Sequence, residues 1–476
     1  MRPKTLFPPF AETLHLDSGN TRSKDVMGPL GNNLTLATWT TPKSPFFWDS
    51  KGRLLSIALC DTVICIAALD PITLETMATW APPDQQNLQI TYIQEREGSL
   101  VVPTEEGRVY HVDRVDEANG TTTFHVSRDV DVSSVVPSSQ KLLGTAWDQS
   151  GNIWFATGGI VGFDVATAND TVVGYITPNN TVYHITIVNQ VAENNMAVTG
   201  NTVYMSTGPA GTDDHPSAIG YLFGFSASSS GVRTVFNETY QAGDSFKAGS
   251  FARGSGSSPG LVGNEYIAIT DNANSRINLL VYRQVGAGYA SDQVSTSTET
   301  SQNLVCKLAL FSPNASANDN ALVTHFDGEK HSIVVTNSFN QPPMLNLADG
   351  LPADINNSTW NNLTGMPGEF AKIDISPNGT CSVAWTVTKF HQTSIPLLST
   401  GAGLLYTYAQ DSDLAREGKY VWYWVAFDHA TGREVWRSRA GAGGTYNNNG
   451  MLPVLGPDGA LWIATVAGTL KVADGV

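Results

Sequence analysis

The sequence predicts an all-β fold made of small repeated sheets, and three observations carry that expectation. Eight times along the 476 residues a glycine-containing turn separates two short runs rich in β-branched and aromatic residues, as a β-hairpin requires. No stretch sustains the 3.6-residue apolar period of an amphipathic helix. The third observation is Ala426 to Trp436, AFDHATGREVW, with the spacing A-x-D-x-x-T-G-x-x-x-W. Here Asp428 can accept hydrogen bonds from turn amides, Thr431 can cap them, and Gly432 suits a left-handed position. Trp436 is then free to lie flat between one sheet and the next.

Taken in order, residues 1–31 are polar and irregular and are expected to wrap the outside. The hairpins follow at 48–59, 94–104, 147–157, 198–207, 261–270, 325–336, 398–408 and 455–465. Docking-type turns recur more weakly at 67–80 and 162–170. Eight hairpins imply a β-propeller of eight four-stranded blades, forming one domain over 32–476. Seven blades is the runner-up, because the first and last units could merge. The last unit, 451–476, has only three strands of its own. NLTLATWT (33–40) would supply the fourth and leave no open sheet edge. Residues 284–303 and 341–370 read as surface insertions.

The net charge is −16, without a basic patch, which argues against nucleic acid or an anionic membrane as partner. No apolar run is long enough to span a bilayer. Sequons at Asn33, Asn119, Asn169, Asn179, Asn237, Asn314, Asn356, Asn357, Asn362 and Asn378 favour the secretory pathway and N-glycosylation. The four cysteines suit two disulfides, Cys60–Cys65 across a hairpin and Cys306–Cys381 between neighbouring sheets; four buried free thiols is the alternative. MRPKTLFPPF has no apolar signal region, so the chain is expected to be a processed form with an added Met.

In a propeller, the loops entering each innermost strand and those joining strands two and three share one face around the axis. On that face the sequence places Asp271, Asn272 and Arg276 in TDNANSR, Arg253 in RGSGSSP, His215 in TGPAGTDDHPSA, and Tyr446, Asn447 and Asn448 in GGTYNNNG. Each has a plainer reading. Asp271 and Asn272 could staple their own turn. RGSGSSP could cradle an anion with its amides or simply pack closely. Lone histidines such as His215 and His391 usually satisfy a backbone partner. Three consecutive Asn beside the axis point more strongly to a ligand. Loops on the opposite side, DEANGT and SPNGT, would carry glycans.

Metal-ligand histidine pairs and the sialidase-type box do not occur in the sequence. The AFDHATGREVW stretch resembles the tryptophan-docking motif of quinoprotein-like β-propellers. The chain also resembles secreted members of that group through 254–283, the Cys306/Cys381 pair and GGTYNNNG. No two cysteines are adjacent, so the resemblance does not carry a quinone cofactor with it, and no cofactor or metal is expected.

Among fungal members, the chain is similar to the hetero-Diels–Alderases of tropolonic sesquiterpene biosynthesis. That similarity implies a pericyclase joining a tropolone-derived quinone methide to a humulene-type alkene, with apolar or aromatic small molecules as substrates. Trp48, Phe339, Tyr406 and Tyr446 would then wall a cavity. Arg253, Arg276, His215 and Lys247 would polarise or move protons, and Asp271, Asn272, Asn447 and Asn448 would hold substrate. A homodimer is left open.

Two other classes compete with that reading. An extracellular carbohydrate lyase or hydrolase would need a His/Tyr/Arg or paired-carboxylate centre on the same face, with Asp213, Asp214 and His215 as its best candidates, and a non-catalytic binding propeller would need only its loops. An apolar axial cavity favours the terpenoid enzyme, a Trp-lined polar groove favours sugar, and a filled channel favours binding alone.

Overall fold

The computed structural model describes residues 11–475, except 13, 42, 62, 90–91, 160–168, 211–217, 287–300, 302 and 346–349, and the side chains of residues 11 and 12. Each of the expected hairpins is a pair of antiparallel strands. Phe46–Trp48 pairs with Leu54–Cys60, which continues through Val63–Leu69 and Thr76–Trp80 as a four-stranded meander. The same order recurs over 94–131, 141–188, 197–241, 260–309, 323–387 and 397–442. The short strand Gln190–Ala192 fuses the 141–188 and 197–241 meanders into one nine-stranded sheet. The 454–473 strands take their outer neighbour from Thr35–Trp39, in antiparallel register from Thr35 opposite Ala473 to Trp39 opposite Thr469. That is the strand pairing expected of NLTLATWT.

Local chemistry explains the turns. Asp428 Oδ1 accepts from the Thr431 amide at 2.7 Å and the Thr431 hydroxyl at 2.6 Å, and Gly432 has φ +70°. The 67–80 turn repeats this, with Asp70 accepting from the Ile72 and Thr73 amides. There Leu74 takes the left-handed position at φ 59°, a strained choice offset by burying its side chain in the core. The 162–170 turn lies outside the described residues.

The meanders are apolar on both faces, so each must be covered twice. Leu404–Gln410, LLYTYAQ, is buried at every position. Successive hydrophobic clusters fill the space between each meander and the next, and one joins Phe46, Leu54 and Leu69 to Val454, Trp462 and Ala464, packing the last sheet on the first. Indoles on outer strands bridge these gaps. Trp385 lies on Gly432, where a Cβ would meet its ring at 2.6 Å, and donates to His429 O at 3.0 Å. Trp436 donates to Pro29 O at 3.0 Å, and Trp80 meets Tyr110 edge-on.

The expectation that residues 1–31 wrap the outside does not hold for 14–24, most of which is buried. This segment runs across the first strands of four meanders. Its carbonyls at Ser18, Gly19, Thr21 and Arg22 accept from the amides of Val198, Leu261, Thr324 and Leu398. Arg22, 0 % exposed, donates to the carbonyls of Leu14 (2.7 Å), Ile395 (3.1 Å) and Pro453 (2.8 Å). A backbone entering the interior needs every polar group paired, and the short first strands leave amides to do it. The 341–370 insertion is likewise more than surface. It reaches inward to Asn447, Asn449 and Gln410. Most of 284–303 lies outside the described residues.

Both expected disulfides are present, Cys60–Cys65 and Cys306–Cys381. The second ties the outer strands of neighbouring sheets across a separation of 75 residues. Replacing Cys306 and Cys381 by serine should lower stability by about 2–5 kcal/mol, because the unfolded chain regains loop entropy. Arg22→Ala should cost at least about 3 kcal/mol, since several buried carbonyls lose their donor. Urea midpoints check both, and an unchanged midpoint for Arg22→Ala would refute its role as a central tie.

Candidate functional site

Where the first strands converge, the structure contains a cavity of about 420 Å³. Residues from around the whole molecule line it, most of them in the loops that enter first strands: Pro45, Tyr92, Phe251, Ala321, Ile395 and Leu452 supply apolar surface. Leu14 and His15 of the amino-terminal segment and Met344 of the insertion complete it. His15 stacks on Tyr92 at 5.6 Å, and burial, with Arg22 adding, holds its pKa down at about 3. It is neutral at any physiological pH. Lys141 and Glu105 also line the cavity, but spend their charges on each other at 2.8 Å.

Two further acids line the cavity with no salt-bridge partner among the described residues. Glu193 is 4 % exposed, and its carboxylate accepts from the Arg253 amide at 2.9 and 3.0 Å and from the Gly254 amide at 3.2 Å. Asp319 accepts from the Phe251 amide at 2.9 Å. Burial raises Glu193 to about 7, the loop amides oppose the rise, and the Asp319 charge adds to it. Burial likewise raises Asp319 to about 6 against the Phe251 and Ala252 amides, the Ser250 side chain and Lys247. The glycines of RGSGSSP make this approach possible, since a Cβ on Gly256 would collide with the Asp319 carboxylate. RGSGSSP thus does cradle an acidic group with its amides, but the group is the protein's own Glu193.

The strand order can be set beside known structures. The Dos1 propeller aligns over 94% of this chain and 96% of that one, at 7% identity and a TM-score of 0.50. The fold is a β-propeller. Similar coverage but lower TM-scores relate the propeller to the WD40 domain of SCAP from fission yeast (7% identity, 93% of this chain and 99% of that one, TM-score 0.48) and to Chaetomium thermophilum Sqt1 bound to the N-terminus of ribosomal protein L10 (11%, 94% and 98%, 0.47). At such identities the likeness concerns the fold alone. No protein-family model matches the chain, and no curated protein matches it significantly.

Among the described residues, none of the side chains proposed above for catalysis or substrate binding lines the propeller's cavity. Arg276 is exposed on its loop. Arg253 is buried, donating from Nη1 to Ala242 O (3.0 Å) and Gly243 O (3.2 Å). Lys247 Nζ donates to Ala273 O and Ser316 O, and burial lowers its pKa to about 8. Asp271 staples its own turn by accepting from the Asn278 amide and side chain, both at 2.7 Å, and Asn272 donates to Ala242 O. Tyr406 is sealed in the core with its hydroxyl on Pro29 O, and Trp48 packs against Trp462. Phe339 is half-buried in its own loop, its amide on Asn337 Oδ1.

The three asparagines tie the cavity's surroundings together. Asn447 donates to Asn361, Asn448 accepts from Thr393 and donates to Met451 O, and Asn449 exchanges two bonds with Leu345. Tyr446 lends its carbonyl to the Tyr408 hydroxyl. His215, with Asp213 and Asp214, lies outside the described residues. Glu193 and Asp319 were missed, although VAENNM and SANDNA enter first strands just as RGSGSSP does. Applying that one positional rule to every loop would have found them.

In the unfolded chain Glu193 loses its proton near pH 4.5, whereas in the fold it keeps it to about pH 7. Between those values the folded state binds more protons, so this group's stabilising contribution is complete below the window and falls as pH rises through it. Relative to Glu193→Gln, the wild type should lose on the order of 3 kcal/mol between about pH 4.5 and 7. Urea midpoints across that range measure it, and parallel pH curves for the two proteins would rule the buried acid out.

Proposed function

We propose that the chain is a single-domain, eight-bladed propeller closed by Thr35–Trp39, and that its central cavity is the active site of a cofactor-independent hetero-Diels–Alderase. The substrates in this reading are a tropolone-derived quinone methide and a humulene-type sesquiterpene alkene. The supporting observation is the hollow itself, open at about 420 Å³ and lined mainly by apolar side chains, within the usual size of a small-molecule site. Secretion and glycosylation belong to the same proposal. Two disulfides are compatible with it, and Asn119, Asn179 and Asn378 stand exposed in equivalent turns between third and fourth strands.

Cycloaddition asks little covalent work of a protein. One C–C and one C–O bond form and no atom leaves, so holding the partners in contact can supply about 7–11 kcal/mol at best. Donors that polarise the oxygenated partner add to this. Generating the quinone methide from a hydroxymethyl precursor needs, in addition, one proton transfer. A carbohydrate lyase or hydrolase is the second reading, because the cavity holds a carboxylate pair. Against it, no tryptophan is found among the described lining residues to stack a sugar.

Incubating the protein with a hydroxymethyl-tropolone and humulenol should yield the dihydropyran adduct well above the uncatalysed background. Leu452→Trp, which fills the hollow, should lower that rate at least about tenfold, equivalent to roughly 1.4 kcal/mol of barrier, while leaving the melting temperature in place. Full turnover by a folded Leu452→Trp protein would move the reaction elsewhere.

A further inference from the structure

Resting on that reading, we infer that Glu193 and Asp319 are the cavity's proton-transfer pair, Glu193 donating to a departing ligand hydroxyl and Asp319 receiving the proton that the ligand gives up. Both carboxylates line the same hollow and grip the same loop. The amides that hold them, Phe251 and Arg253, are two residues apart, a span of at most about 7 Å even if extended. A structural need for two unpaired acids here is hard to find, because either amide group could have been satisfied by a carbonyl or an Asn without the cost of burying charge.

The surrounding cations are held mainly by other groups, although the Arg253 charge still lowers Glu193 and the Lys247 charge lowers Asp319. Arg253 turns its guanidinium to Ala242 O and Gly243 O. Lys247 is held by Ala273 O and Ser316 O, Lys141 by Glu105, and His15 is neutral. Neither acid is neutralised by contact with a cation, so burial, with the Asp319 charge adding at Glu193, keeps a proton on the pair near neutral pH.

The step balances without a co-reactant. The C–O bond of the ligand's hydroxymethyl carbon breaks and its electron pair leaves with oxygen. The Glu193 proton joins that oxygen, so water departs. The tropolone enol O–H proton passes to the Asp319 carboxylate, giving the neutral quinone methide, and transfer from Asp319 back to Glu193 restores the pair.

The test compares two precursors, the hydroxymethyl-tropolone and its acetoxymethyl analogue, whose leaving group needs no proton. Glu193→Gln should lose about a hundredfold or more in rate with the alcohol but stay within about threefold of wild type with the acetate, since binding and cycloaddition are spared. In the wild type, turnover of the alcohol should fall as pH rises through about 7, following Glu193. Asp319→Asn should move that fall to lower pH, because the neighbouring charge is gone. Equal loss with both precursors, or undiminished turnover of the alcohol, overturns the inference. Should Glu193→Gln fail to fold, an unmoved pH limb in Asp319→Asn overturns it instead. If the wild type makes no adduct from either precursor, the cycloaddition reading falls. The pair is then judged by whether wild type, and not Glu193→Gln, accelerates trapping of the quinone methide by an added thiol.

Discussion

A sheet that is apolar on both faces has to be covered on both, and this constraint organises the molecule. Strands such as Leu404–Gln410 and Ile153–Gly158 have no exposed position, so no meander is complete without a neighbour on each side. Stacking satisfies every sheet only when the last, 454–473, meets the first, 46–80, as Trp462 and Leu54 do in one cluster. At roughly 25 cal/mol per Å² of apolar surface buried, the junctions between sheets carry most of the stabilisation. The indoles Trp80, Trp385 and Trp436 are large plates suited to those junctions. The hydrogen bonds that Trp385 and Trp436 make to His429 O and Pro29 O fix their positions along the gap.

A second consequence is the hollow. Sheets that splay around a centre cannot all touch there, and the protein fills only part of the space. The amino-terminal segment occupies one part, its backbone paired with Val198, Leu261, Thr324 and Leu398 and anchored by Arg22. The remainder is the cavity. Loops that border it are polar because they must turn tightly, yet their polar atoms mostly face one another, as in the chain of contacts from Asn361 through Asn447 to Asn449. What reaches the hollow is mainly apolar surface, together with a few polar side chains and the carboxylates that the 250–256 loop holds.

Much of the fold was legible because it is written in local pattern. Turn chemistry at Asp428 and Asp70, the eight hairpins, the borrowed strand from Asn33–Thr40 and both disulfides depend on residues near one another or on a repeated rhythm. The site was far less legible. Asp271, Asn272, Arg253 and Asn447–Asn449 carry the residue types that bind ligands, but the same groups bind backbone, and composition does not separate the two uses. Tyr406 looked like a wall residue and is a core residue, because alternation along its strand matters less when both faces are buried. Glu193 and Asp319 were hidden for the opposite reason: each is one acid in an unremarkable loop, given meaning by a partner 126 positions away in the chain.

The sequence by itself determined the all-β class, the hairpin rhythm and the docking indoles, since period-two alternation, left-handed turn positions and aromatic spacing are encoded over a few residues. Only the tertiary structure decided that residues 14–24 run through the interior, that the asparagine run is a staple, and that two distant acids border one cavity. Those outcomes depend on which buried polar groups find partners once the sheets have packed, a question of satisfaction in space that no local pattern answers.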